Sequence, residues 1–358
     1  MASLFLAPNG HRRLARALIA GPAVLCPTAA LAHEAWLLTP DEMAELAVAP
    51  IPPVFTGFWP LAGFVVALAV AALGALIVAD RLRNAERRLF APLEAVAAAI
   101  GPTLVRLGLA LMLGLGAIGG LPRHGTALWT TPTLMVPDMQ ITLAGGGWAW
   151  LAYAELIIAL CLLAGVFIRL AAIGVILLVL MGFWAFGTPF LAYGPHFIAP
   201  ALILLVYGSG IFALGSERDR ASLREWRHVA WRVVMALLGG TFVYLGIAYK
   251  LNQPTLLIAI LDHGDVPTVG LPLEIAALVM MLVEVTAGAL LALGLLVRPI
   301  ALFLIGAFTF FAVTIGETPL FHANLYGAMA MLFMAGGDAP RRGLSVNFSP
   351  SPLRSVFR

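Results

Sequence analysis

Nine apolar runs dominate this chain, at roughly 57–79, 101–121, 147–168, 170–188, 196–214, 230–250, 271–297, 299–316 and 321–337. Each approaches the roughly 20 residues that a helix needs to cross the hydrocarbon of a bilayer. The runs are continuous rather than alternating, which excludes the strands of a transmembrane barrel. Charged residues make up 11% of the chain and hydrophobic ones 61%. Soluble domains average about 25% and about 45–50%. The sequence therefore specifies an all-α polytopic membrane protein whose first partner is the lipid bilayer.

Several chemistries are excluded at once. No GxGxxG follows a strand pattern and no P-loop is present, which argues against nucleotide chemistry. The two cysteines, Cys26 and Cys161, form no CxxC, so a disulfide framework, a zinc ribbon and a dithiol redox motif are out. No nucleic-acid partner is expected.

The N-terminus has the layout of a signal peptide. Arg12, Arg13 and Arg16 precede a short apolar stretch, and Ala30-Leu31-Ala32 supplies a cleavage site. Cleavage there leaves His33 as the first residue, outside the cytoplasm; an uncleaved anchor is the alternative. From that start, sixteen basic residues fall on the inner side, at positions 81, 83, 87, 88, 106, 169, 218, 220, 224, 227, 232, 298, 341, 342, 354 and 358. Only Arg123 and Lys250 fall outside. The positive-inside rule then places the chain in a bacterial inner membrane with a periplasmic N-terminus and a cytoplasmic C-terminus.

An internal repeat organises the spans. Glu155, Gly165, Arg169, Ala172 and Gly187 recur as Glu284, Gly294, Arg298, Ala301 and Gly316, all offset by 129. Arg106 and Gly120 recur as Arg232 and Gly246, offset by 126. Both copies start inside and contain four spans, so they share one orientation and relate by an axis along the membrane normal. The expected division is a signal peptide at 1–32, a short outer segment at 33–56, and an extra transmembrane helix with a cytoplasmic basic loop at 57–100. A first four-helix bundle follows at 101–214, a cytoplasmic linker at 215–229, a second bundle at 230–338 and a cytoplasmic tail at 339–358. Two parallel four-helix bundles related by a pseudo-twofold, plus the extra helix, form the expected architecture.

Glu155 and Glu284 are the residues most at odds with their surroundings. Each lies fourteen residues, about 21 Å of helix, from an arginine that marks the inner surface. A charge at that depth costs about 2.5–3.5 kcal/mol on insertion scales and must pair or face the bundle interior. Such a carboxyl suits proton exchange with a reduced organic carrier such as a quinol. A structural glutamate bonded to a neighbouring helix is the plainer account. Tyr249, Lys250, Glu317, His322 and Asn324 gather at the outer ends of the second copy. The first copy offers Arg123, His124, Asp138 and His196, and has Thr188 where Glu317 would be. The second copy is therefore the expected site. Five of the seven histidines, His33, His124, His196, His263 and His322, map outside, yet their spacing forms no metal-ligand motif and no metal is assigned.

Each copy resembles the DoxX-like family of four-helix membrane proteins, which includes DoxD and relatives of the methylamine-utilisation protein MauE. The resemblance rests on Arg232 through Gly246 and Lys250, on the run from Glu284 to Arg298 followed by Pro-Ile-Ala, and on a closing helix with His322 and Asn324. Glu155 to Arg169 repeats the central run in the first copy. What the resemblance implies is a membrane subunit tied to redox or sulfur metabolism, which needs a protein partner subunit or a bound quinone as cofactor, since no flavin, haem or iron–sulfur motif is present. Glu284 then serves as buried acid or proton acceptor, oriented by Lys250 with His322 at the mouth. Tyr249, Glu317, Asn324 and Glu155 complete the expected ligand-binding set. Two other readings stand beside it: a proton-coupled small-molecule transporter, and a non-catalytic assembly scaffold.

Overall fold

The computed structural model describes residues 37–122, 126–215 and 223–338. The expected signal peptide with Cys26 and His33, the loop residues Arg123 and His124, most of the linker and the tail beyond Asp338 lie outside the described residues. Among the described residues the chain is helical, and its only bridge of strand type joins Thr133 to Gln140.

The helices are α1 (Pro40–Val48), α2 (Pro53–Thr56), α3 (Phe58–Ala117), α4 (Trp150–Ala164), α5 (Ile168–Phe186) and α6 (Gly194–Tyr207). Then come α7 (Arg227–Tyr244), α8 (Pro254–His263), α9 (Leu273–Ala292), α10 (Val297–Thr314) and α11 (Ala323–Ala335). Seven stretches are long and apolar enough to span a bilayer: 62–82, 96–117, 146–164, 168–186, 227–251, 273–292 and 297–314. The expected spans at 196–214 and 321–337 instead form shorter helices of 14 and 13 residues, α6 and α11. Gly208 and Gly336 end them early, both with φ near 80°, where an L side chain would be strained. Within the expected outer segment, α1 starts at a capping box in which Thr39 and Glu42 satisfy each other's backbone N–H groups. α8, absent from the expected spans, lies in the loop after α7.

The expected basic loop at 80–100 is helical, and α3 runs unbroken for 60 residues. Drawn straight it would be about 90 Å long. Its contacts show that it folds back. Phe64 and Leu68 pack on a cluster formed by Leu257, Leu261, Val266 and Ala277. Glu86 and Glu94 both bind Arg298 at the opposite end of the molecule. Gly116 returns to the first end, beside Glu155 and Thr133. Pro92 lies in the returning stretch, where it removes a backbone donor and permits a bend. Only 6% of the window 62–82 is buried, so Val65, Val66, Val70, Leu73 and Leu76 are left for lipid.

Close approach of backbones builds the core. α11 runs antiparallel to the second half of α3, with Gly101 against Met331, Gly108 against the Ala323 carbonyl and Gly327 against the Leu104 carbonyl. α7 and α9 cross at Gly239 and Gly288, each of which faces the other's carbonyl. Lipid tails are as apolar as leucine, so this dense contact, rather than water exclusion, drives helix association.

Arginines close the far end. Arg169 Nε donates to the Leu205 carbonyl at 3.3 Å, and Arg298 Nε to the Phe333 carbonyl at 3.1 Å. Arg106, 1% exposed, donates to the carbonyls of Leu162, Leu163 and Phe212 at 2.7–3.0 Å. Four of these oxygens sit in the last turns of helices, where intrahelical donors run out, and that of Phe212 follows the end of α6.

Candidate functional site

The end of the molecule opposite the arginines holds a cavity of about 90 Å³ between the two sequence halves. The first half supplies Asp138, Tyr193, His196 and Phe197; the second supplies Phe242, Phe308, Glu317, Phe321, His322 and Asn324. Short 3-10 turns position the key groups. Thr188–Ala192 leads into α6 and places His196 one turn in, while Pro319–His322 leads into α11 and places Asn324 at its second residue. His196 and Asn324 are 128 residues apart, as are Gly208 and Gly336, which end the two helices. The Asn324 amide donates to the His196 carbonyl at 3.2 Å, joining the halves.

Four rings stand in a row along the cavity. His196 meets Phe242 at 5.3 Å, Phe242 meets Phe308 at 5.9 Å, and Phe308 stacks on His322 at 5.1 Å with planes 8° apart. An imidazole thus closes each end of the row. His196 Nε2 is buried and has no hydrogen-bond partner among the described residues. Across the cavity the Tyr193 hydroxyl donates to Asp138 Oδ2 at 2.5 Å. A buried ring nitrogen that can donate or accept costs free energy until something bonds it. Among the described residues no group of three or more His, Cys, Asp and Glu side chains could hold a metal ion. Flat apolar walls with a few convergent polar groups fit a small planar ring that carries oxygen atoms.

The expected site residues separate into three places. Glu317, His322 and Asn324 line the cavity. Glu284 and Lys250 do not. They form their own ion pair, with Lys250 Nζ 2.5 Å from Glu284 Oε2 and side chains 27% and 17% exposed. Tyr249 adjoins this pair and packs edge-on against Tyr244 at 5.6 Å. Leu245–Leu251, which carries both Tyr249 and Lys250, is a π-helical turn extending α7. Such wide turns are rare and recur at functional sites. Glu155 is in the third place, fully buried, where Oε1 accepts the Met135 N–H at 2.8 Å. Its Oε2 has no partner among the described residues.

Sequence alone favoured the second copy, yet the first half contributes a full wall of the cavity. Asp138 and His196 lay in the copy judged poorer, Tyr193 fell between two apolar runs, and Phe242 and Phe308 were ordinary apolar-run residues. One signal was available. Aligning α6 on α11 at an offset of 128 pairs His196 with Asn324 and so points to a shared site.

The apolar helices and their packing define the class: an all-helical, multi-pass integral membrane protein. No protein-family model matches the chain, and no curated protein or solved structure shows detectable similarity to it.

Proposed function

We propose that this chain is a DoxX-like membrane subunit that binds a quinone-type ring in the cavity between its two halves, as part of a redox system whose electron-carrying centres sit in a partner protein. The observation that carries this reading is the ring row His196–Phe242–Phe308–His322 with the unpartnered Nε2 of His196 beside it. The phenylalanines stack a flat ring, and His196 Nε2 bonds a ring oxygen. His322 and Glu317 at the cavity are the groups able to exchange the accompanying protons. A bound quinone supplies two-electron, two-proton carrier chemistry. The repeated arginine-to-carbonyl bonds at offsets of 128–129 support a duplicated four-helix unit with a pseudo-twofold. The basic-residue distribution supports the bacterial inner membrane with a cytoplasmic C-terminus.

The test is equilibrium binding of a short-chain ubiquinone to the purified full chain in lipid nanodiscs. Saturable binding is expected, with His196→Leu and Phe308→Ala each weakening it at least about tenfold, the factor expected for one lost hydrogen bond or ring stack. Absence of saturable binding, or binding indifferent to both variants, refutes the proposal.

One observation favours the transporter reading instead: Lys250, on a distorted π turn within a span, pairs with Glu284 of the neighbouring span α9. That reading requires proton-coupled flux in liposomes containing this chain alone, abolished by Glu284→Gln. Retention of all binding and flux properties in both Glu155→Gln and Glu284→Gln would point to a scaffold.

A further inference from the structure

The hairpin between α3 and α4 is non-helical, yet every residue from Thr133 to Ile141 is buried. Irregular backbone in a membrane protein is well tolerated where protein surrounds it or where it lines a cavity. This hairpin does both. It is closed on itself by Leu134 N–H to the Met139 carbonyl at 2.7 Å and Ile141 N–H to the Pro132 carbonyl at 3.1 Å, so it can move as one piece. Its tip, Val136, Pro137 and Asp138, forms part of the cavity wall. Two side chains tie that piece to its surroundings, Tyr193 at Asp138 and Glu155 at the Met135 N–H, and at its base the Thr133 N–H donates to the Gly116 carbonyl of α3 at 2.9 Å.

Glu155 does not line the cavity. Its one bond to a described residue goes to the hairpin backbone. Burying a carboxyl for a single hydrogen bond is costly, and the structural result of that cost is the position of the hairpin. Thr133 Oγ1, also buried, lies beside the same carboxyl: a methyl at Gly116 would sit 3.1 Å from Glu155 Oε1 and 3.3 Å from Thr133 Oγ1. Lifting the hairpin tip would let water reach both groups, which offsets the lost Met135 bond, while the Thr133–Gly116 backbone bond at its base serves as the hinge.

We propose that the hairpin Pro132–Ile141 is a lid over the cavity, and that Glu155 is the positioning residue that latches it shut. The proposal rests on the cavity being a ligand site, since a lid matters only where something enters. Glu155 acts at a distance from the ligand, through the Met135 N–H, and sets where Asp138 stands.

The test needs no ligand. In the full chain with Cys26→Ser and Cys161→Ser, Val136→Cys reports lid opening through its rate of modification by a membrane-impermeant maleimide in nanodiscs. Slow labelling is expected when Glu155 is present. Glu155→Ala should speed it by about tenfold or more, whereas Glu155→Gln, whose amide oxygen still accepts the Met135 N–H, should stay within about threefold. Gly116→Ala presses a methyl between the carboxyl and the Thr133 carbonyl, at 3.1 and 3.2 Å, and should also speed labelling. It serves as the deciding variant where Glu155→Ala does not fold. Labelling unchanged by the deciding variant overturns the lid, and Gln labelling as fast as Ala overturns the latch. Protection by a short-chain quinone tests the ligand reading alone: its absence, with the Glu155 effects intact, leaves the lid standing and removes the quinone.

Discussion

Replacing Arg106 by methionine should destabilise the protein measurably, although no carboxylate pairs with this arginine among the described residues. Its guanidinium is 1% exposed and donates at 2.8 Å to Leu162 O, at 2.7 Å to Leu163 O and at 3.0 Å to Phe212 O. The Leu162 oxygen keeps a second donor in Gly165 N–H at 3.1 Å. Leu163 O and Phe212 O keep none among the described residues. Two part-buried carbonyls, on residues 53% and 87% exposed, lose their donor; water can reach them, so each costs towards the low end of the usual range and the loss is about 1–3 kcal/mol. Removing a buried charge returns part of its desolvation cost, which pulls the result towards the lower half of that range. Arg232, 126 positions later, is the control: it is exposed, and among the described residues it makes no hydrogen bond or ion pair. Arg232→Met should cost under about 0.5 kcal/mol, as surface changes usually do. Equilibrium unfolding of the full chain by SDS in mixed micelles, followed by far-ultraviolet circular dichroism, measures both. Equal losses for the two variants, or a larger one for Arg232→Met, would show that carbonyl capping does not hold this end together.

Other outcomes follow from particular contacts. Gly108→Ala forces a methyl into the Ala323 carbonyl and should destabilise by about 1–3 kcal/mol, while Gly240→Ala, with nothing within 4 Å and a helical backbone, should stabilise by about 0.5–1 kcal/mol in the same unfolding assay. A double-mutant cycle on Lys250→Met and Glu284→Gln should give a coupling of about 0.5–2 kcal/mol, and a coupling near zero would mean the pair is not formed in the membrane. Arg298→Lys should cost about 1–2 kcal/mol, because a single ammonium cannot reach Glu86, Glu94 and the Phe333 carbonyl together; a neutral Lys variant would contradict that bridging role.

Composition and run length alone settled that this chain is helical and lies in a bilayer, because hydrocarbon leaves an unpaired peptide group no other refuge. The recurring arginines were legible for a similar reason. Few charges survive in such helices, so Arg169 and Arg298 at a fixed offset stand out, and the structure gives both the same bond to a backbone carbonyl. The joining of Lys250 to Glu284 was within reach of sequence reasoning, since a buried carboxyl and a nearby ammonium seek each other.

Tertiary structure decided the rest. Whether residues 80–100 loop or stay helical depends on Glu86 and Glu94 finding Arg298, more than 200 positions away. The cavity exists because the hairpin, α6, α7, α10 and the start of α11 meet there, and no local pattern encodes a meeting of five segments. Apolar periodicity tells which residues leave water, but in lipid nearly every face is apolar. It therefore cannot tell which phenylalanine packs on which histidine; steric fit between backbones, at glycines such as Gly108 and Gly239, makes that choice.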